Sequence, residues 1–444
     1  MPTPPRLALA IAILAIPASA AWKAGTARAD ITPTEPIWMA GFGSRTKPSE
    51  GVRQKIWVKA LALEDETGAK SVLVTSDLLG FNSEMADYVS RHARAKFGLT
   101  RDRLALNSSH THSGPVTGTL LRPAYPFDAA EEAVVKRYTA KLLDLVVGAI
   151  GDSLAGLKPA TLAFGQGNAG FATNRRRVTM ALRHLPGPVD HDVPVLAVRG
   201  ADGKLAAVVF GYACHETSLS DYQINGDWPG FAQAAIEKAQ PGAMAMFVTG
   251  AGADANPLPR RTVQLSEHYG DIMGEAVSQV LAGRMLAVGG PLKTAFGTTD
   301  LGFTQIPDRG ELDRRIAAEK GDTSARRYAQ LLLDRLKADG RLRDKYPYPV
   351  QVWRFGSTFK MIIMGGEVVV DYALRLKAAY GWADTWVAGY SNDVFAYIPS
   401  LRVLKEGGYE GGGAMVPYGQ PGPFDEAVEE SIMRKVGELM AAVK

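Results

Sequence analysis

Apolar positions along this chain change period repeatedly, and each change marks an element. Residues 56–63 (Ile-Trp-Val-Lys-Ala-Leu-Ala-Leu) and 71–75 (Ser-Val-Leu-Val-Thr) are apolar runs of strand length, the second ending in Ser76-Asp77. A helical pattern over Ser83–Phe97 follows, then an extended stretch at 103–107 and a long helix with apolar residues at helical spacing over 130–154. Further strands are predicted near 161–165, 193–199, 205–213 and 243–249, with helices near 230–239 and 267–282. A last unit reads as strand Phe359–Met364, a Gly365-Gly366 turn, a helix over 367–380 and a strand over 385–390. Strands alternating with helices in this way predict the α/β class, a layered mixed β-sheet core flanked by helices. Residues 309–343 are dense in Ala, Leu, Arg, Lys and Glu and are broken at Gly321 and Gly340, the pattern of an exposed helical pair acting as a linker or cover. No shift of composition marks a boundary, so residues 21–444 are taken as one domain.

The first twenty residues follow another logic. Arg6 supplies a positive charge, residues 7–16 an apolar core, and Ala18-Ser19-Ala20 the small residues of a cleavage site. The apolar run is too short to span a bilayer and ends at Pro17, so a cleaved export signal at 1–20 and a secreted or periplasmic protein are expected. No later segment is long and apolar enough for a transmembrane helix.

At 444 residues and 46% hydrophobic content the chain can bury a large core. Its 50 basic and 46 acidic residues leave a net charge of only +4, with no basic run interleaved with aromatics, so nucleic acid is not an expected partner. The single cysteine, Cys214, rules out an intrachain disulfide, and on a strand it would face away from its neighbour His215, so it reads as a buried inert thiol.

Two of the seven histidines fall in Asn107-Ser108-Ser109-His110-Thr111-His112-Ser113-Gly114-Pro115. Were the preceding strand to continue, side chains at i and i+2 would leave one face and both imidazoles could enter one cavity. His215, at the end of an apolar run and followed by Glu216-Thr217-Ser218, is a third candidate. Glu367 fits either a metal ligand or a favourable charge near a helix N-terminus. Asp77 and Asp227 could join a site or act as turn and cap residues. The loop Gly250-Ala251-Gly252-Ala253-Asp254-Ala255-Asn256-Pro257 could offer backbone N–H groups to an anion or oxyanion, and Asn174-Arg175-Arg176-Arg177 reads as a charged loop or solvated surface.

Taken together, these residues resemble the neutral, non-lysosomal ceramidase family from Asp30-Ile31-Thr32-Pro33 to about Tyr409-Glu410-Gly411, most specifically at His110-Thr111-His112-Ser113-Gly114-Pro115. The resemblance implies a zinc-dependent amidase with one Zn2+ per chain. It assigns the metal to His110, His215, Glu367 (in Gly366-Glu367) and Tyr397 (in Ser391-Asn392-Asp393-Val394-Phe395-Ala396-Tyr397-Ile398). His112 would handle protons, with Arg175 and Tyr409 orienting or polarising the carbonyl as water activated at zinc attacks the amide. The implied substrate is ceramide, another N-acylated lipid or a small amide, with a peripheral contact to a membrane surface. Two departures stand out. Asn256 occupies the place of the family's active-site serine in its Gly-Asp-x-Ser-Pro loop, and the sequence ends at Lys444 without the immunoglobulin-like C-terminal domain of larger members. A zinc hydrolase of another amide or ester, and a non-catalytic extracytoplasmic binding protein, are the competing readings.

Overall fold

The computed structural model describes residues 22–179 and 187–444; the export signal expected at 1–20 lies outside them. Eight strands and a short edge segment build the larger sheet: β1 Trp22–Asp30, β2 Trp57–Glu64, β3 Lys70–Ser76, β4 Leu104–Ser108, β5 Lys158–Asn168, β6 Asp192–Gly200, β7 Leu205–Tyr212 and β8 Met244–Thr249. Their order is β8-β7-β6-β5-β1-β2-β3-β4, with Leu286–Val288 pairing against β5. The middle of the sheet is antiparallel, while both ends are parallel pairs, β3 with β4 and β7 with β8. Each parallel pair is joined by a crossover helix, α1 Ser83–Phe97 in the first and α3 Asp227–Ala239 in the second; α2 Ala129–Ala155 and α4 Val263–Ala282 complete this part of the helical cover.

A second sheet holds β9 Leu292–Gly302, β10 Lys345–Phe355, β11 Phe359–Met364 and β12 Thr385–Ala388 in chain order. Here too the last pair is parallel, with α7 Val370–Tyr380 between its strands. Between β9 and β10 stand α5 Arg309–Ala318 and α6 Ser324–Asp339, the helical pair expected from the charged segment, closed by Gly340. The C-terminal α8 Val428–Ala442 packs on β9 and β10. Among the described residues no helix is long and apolar enough to cross a membrane.

Burial explains the two kinds of strand. Those in parallel pairs are covered on both faces and are nearly all apolar, as in Met244-Ala245-Met246-Phe247-Val248-Thr249, buried at every position. Antiparallel β9, Leu-Lys-Thr-Ala-Phe-Gly-Thr-Thr-Asp-Leu-Gly, mixes polar and apolar residues and stays half exposed. The two sheets meet through an aromatic layer in which Phe359 stacks on Phe164 and Phe355 with ring centroids 4.2 and 4.3 Å apart. Helix ends follow local chemistry: Asn82 caps α1 by accepting from the Met85 N–H at 3.0 Å, and Asp128 and Glu131 close a reciprocal capping box on α2.

The expected elements match to within a few residues, with three corrections. β4 stops at Ser108, so His110 and His112 lie in a loop beyond the strand, and His110 has φ 61°, which no strand residue adopts. Helix α7 begins at Val370, because Glu367–Val368 is drawn into a two-residue parallel pairing with Tyr397–Ile398. The long antiparallel pair β9–β10 carries Gly297 in one strand and Pro347 and Pro349 in the other, residues that ordinarily argue against a strand interior, and it has no sequence signature among the predicted elements.

Asn107 ties the edges of this architecture together. Its side-chain N–H groups donate to the Gly389 carbonyl at 2.8 Å and Ser391 Oγ at 2.9 Å, and its Oδ1 accepts from the Thr249 N–H at 3.0 Å. Replacing it leaves buried donors and acceptors unpaired at about 1–3 kcal/mol each. Asn107→Ala should therefore lower the unfolding free energy by about 3 kcal/mol, read from the midpoint and slope of urea denaturation; an unchanged midpoint would show that the pin carries no weight.

Candidate functional site

All the crossover strands run so that their C-terminal ends face one hollow, the usual location of binding sites in parallel sheets. The loop after β4 delivers His110 and His112, the loop after β7 delivers His215, and the segments after β11 and β12 deliver Glu367 and Tyr397. Backbone bonds lock these loops to one another: the His112 N–H donates to the Glu216 carbonyl at 3.1 Å, and the His215 N–H to the Ala255 carbonyl at 2.9 Å. Glu367 and Tyr397 are direct partners in the short parallel pairing, which sets their side chains next to each other. Gly366, at φ 70°, makes that pairing possible, since a Cβ there would lie 2.5 Å from Ile398 Cγ1 and 2.8 Å from the Ala396 carbonyl oxygen.

The imidazoles are oriented from behind. His110 Nδ1 lies 2.7 Å from the Leu79 carbonyl and His215 Nδ1 2.9 Å from the Gly252 carbonyl. A carbonyl only accepts, so each Nδ1 donates to it and each Nε2 faces the hollow. There the two Nε2 atoms stand 3.2 and 3.1 Å from Glu367 Oε2, and Tyr397 Oη stands 3.2 Å from His215 Nε2. Burial, reinforced by Arg175, pushes His215 down to about 4, so the ring is neutral near pH 7. Burial acts to raise Glu367, but His110 and His215 outweigh it and hold its carboxyl well below the usual range. Glu367 Oε2 has no hydrogen-bond partner although the residue is buried.

Such a convergence of imidazole nitrogens, a carboxylate and a phenol fits a cation. A tetrahedral ion with ligands about 2.0–2.1 Å away holds those ligands about 3.3 Å apart. The ligand atoms of His110, His112 and His215 lie within 4.8 Å of one another, a group able to hold a metal ion. His112 differs from the other two imidazoles. Its Nε2 lies 3.2 Å from His110 Nε2, its Nδ1 has no partner, and it is 8% exposed against 1% and 0% for His110 and His215. Burial, with His110 and His215 adding to it, keeps His112 well below its ordinary value. Gly41, at φ 95°, lets the backbone pass against this ring, where a Cβ would sit 2.3 Å from His112 Cγ.

Arg175 enters the same hollow. Its Nη2 donates to Tyr397 Oη at 2.9 Å, its Nη1 lies 3.5 Å from Asn256 Oδ1, and its Nε donates to Glu410 Oε1 at 2.7 Å. Arg176 is buried and pairs with Glu410 Oε2 at 2.7 Å, so a run expected as solvated surface is an interior network tying Tyr397 to the turn after Gly408. Asn256 also accepts from Thr217 Oγ1 at 3.3 Å, and the half-exposed Tyr409 ring stands edge-on to Tyr397 at 5.2 Å.

Other expectations fail for identifiable reasons. The Gly252, Ala253 and Ala255 N–H groups are spent on the carbonyls of Gly250, Val368 and Gly252, so the glycine-rich loop turns a carbonyl, not an oxyanion hole, toward His215. Asp77 is taken up by the Trp57 N–H and Gln233, and Asp227 by the Ser218, Leu219 and Trp228 N–H groups. Two tyrosines had no counterpart in the sequence reading. Tyr390 Oη lies 3.3 Å from His215 Nδ1, and Tyr418 Oη donates to Glu367 Oε1 at 2.5 Å. Tyr390 ends a recognisable strand and could have been suspected; Tyr418 sits in the short turn Met415–Tyr418, which no pattern marks.

Fold and site together define a mixed α/β protein with buried histidine and carboxylate donors converging on one point. The chain belongs to the neutral/alkaline non-lysosomal ceramidase family, whose N-terminal region matches residues 22–256, more than half of the sequence. It is 26% identical over 243 residues to neutral ceramidase of Pseudomonas aeruginosa, covering 51% of this chain and 35% of that protein. Neutral ceramidase A of Dictyostelium discoideum is also 26% identical over 243 residues, with 52% and 34% covered, so the matched segment spans about a third of these relatives. The crystal structure of the Pseudomonas aeruginosa neutral ceramidase superposes with a TM-score of 0.73 at 18% identity, over 95% of this chain and 74% of that one, a likeness of fold.

Tyr418 orients the carboxylate from outside the hollow, a position where loss of a partner typically weakens metal binding about 10–100-fold. Tyr418→Phe should weaken it by at least about tenfold, measured by competition with a chromogenic chelator; an unaltered affinity would remove Tyr418 from the site.

Proposed function

We propose that this chain is a zinc-dependent amidohydrolase that cleaves the N-acyl bond of ceramide or a related N-acylated lipid, releasing a fatty acid and an amine. The observation that carries this reading is the approach of His110 Nε2 and His215 Nε2 to Glu367 Oε2, at 3.2 and 3.1 Å. Two imidazoles, one carboxylate and a phenol suit zinc among the common divalent ions, and membership of the ceramidase family supports the amide substrate. Zinc held by His110, His215, Glu367 and Tyr397 would polarise the carbonyl and bring the pKa of water down toward about 7.

The protein's own groups supply the rest. His112 has a neutral ring, an unpartnered Nδ1 and an Nε2 facing the hollow, so it can take a proton from water and return one to the leaving amine. Arg175 holds Tyr397 and, with Asn256 and Tyr409, lines the side where negative charge develops on the carbonyl oxygen. The charged and apolar pattern of residues 6–20 supports export, and with it a secreted or periplasmic location.

Metal analysis of the purified chain should find one zinc, lost from His110→Ala and from His215→Ala together with hydrolysis of a short-chain ceramide. Full zinc occupancy in both variants would sink the assignment. His112→Ala should retain zinc and lose about 10²–10⁴-fold in kcat. Equal turnover by this variant and the parent would leave His112 without its role.

A further inference from the structure

His112 is the least buried of the site's three imidazoles, and two arginines approach the ring that covers it. Phe42 stands edge-on to His112 with ring centroids 4.8 Å apart. Around that same ring lie two guanidinium groups, Arg45 with Cζ 5.0 Å and Arg261 with Cζ 4.8 Å from the centroid. One aromatic ring therefore separates each positive charge from the imidazole.

These charges are not neutralised by their surroundings. Arg45 is only 3% exposed, its Nη atoms donate to the backbone carbonyls of Ala40 at 2.6 Å and Asp221 at 3.1 Å, and its Nε has no partner. Among the described residues Arg45, Arg260 and Arg261 form no ion pair, whereas their neighbours Arg53 and Arg175 pair with Asp221 and Glu410. Asp227, the buried carboxylate on this side, has its oxygens occupied by backbone N–H groups. Burial and repulsion from Arg261 and Arg175 push Arg260 below its ordinary range.

The rim is also held in place. The Arg261 N–H donates to the Ser218 carbonyl at 2.7 Å, three residues beyond His215, and Arg261 keeps φ at 94°, a strained value for a residue with a side chain. The Tyr269 hydroxyl donates to the Pro259 carbonyl beside it. Guanidinium groups left unpaired at the mouth of a buried site recognise oxyanions.

We infer that Arg45 and Arg261 form an anion subsite, and that the favoured substrate carries a carboxylate or phosphate on the amine side of its scissile amide. This rests on the amidohydrolase reading, since it is the proton-handling role of His112 that sets the amine side at the rim. N-acyl amino acids and N-acylated lipids with an anionic headgroup share that chemistry.

Three amides with one acyl chain separate the cases: N-dodecanoylglycine, N-dodecanoyl-phosphoethanolamine and the neutral N-dodecanoylethanolamine. Binding is measured calorimetrically to the zinc-loaded full chain carrying His112→Ala, and turnover is followed in parallel with the parent protein. One or both anionic amides should bind at least about tenfold more tightly than the neutral one, and which of them does so identifies the anion. The preference should shrink in 0.5 M salt and fall to near unity on adding Arg45→Gln and Arg261→Gln, with Arg45→Lys and Arg261→Lys restoring part of it. Equal binding of all three amides, or a preference that survives the glutamine changes, would overturn the subsite. Binding preference without turnover of any amide would overturn the hydrolase reading while upholding the subsite; turnover without preference would do the reverse.

Discussion

Nε2 of His110 and Nε2 of His215 converge on Oε2 of the buried Glu367 at 3.2 and 3.1 Å. An ionised carboxylate in such surroundings costs several kcal/mol unless its neighbours offset it, and the two imidazoles hold Glu367 well below the usual carboxylate range. The loops that impose this geometry are held by hydrogen bonds to the carbonyls of Leu79, Gly252, Glu216, Ala255 and Ala396. A cation at this point would add its charge to that balance, and its occupancy would then be linked to the stability of the fold.

Both sheets contribute, and they do so by the same device. A parallel pair needs a crossover helix, and its strands end side by side, so two loops emerge together. The larger sheet provides two such pairs at its ends and the smaller sheet one, which brings residues as far apart in the chain as His110 and Tyr397 to one place. The two-residue pairing of Glu367 with Tyr397 then acts as a small third support, and Arg175, Arg176 and Glu410 brace it from the far side.

Strands buried on both faces were legible because nothing but an apolar run survives there, and α1 because its cap, apolar spacing and terminal glycine agree. His110, His112 and His215 stood out by placement beyond such runs. Their final geometry did not, since a left-handed backbone at His110 replaces the strand continuation that period-two reasoning assumes. By local pattern alone Arg175 to Arg177 could be solvated surface, and only the family resemblance singled out Arg175; their partners Glu406 and Glu410 lie more than two hundred residues away, a distance no local pattern spans. Tyr418 and the carbonyls of Leu79 and Gly252 belong to the same category: they act through tertiary position alone.

The Asn107 amide joins residues separated from it by 142, 282 and 284 positions. While a ribosome is still making the middle of the chain, that amide has no protein partner at Gly389 or Ser391, and the edge of the larger sheet stays open. Contacts of such long range form late and slowly, because the intervening loop must be closed before they repay its entropy. The histidine loops and the carboxylate loop can thus be synthesised far apart in time yet become rigid together, so a half-made chain does not yet bring His110, His215 and Glu367 to one point.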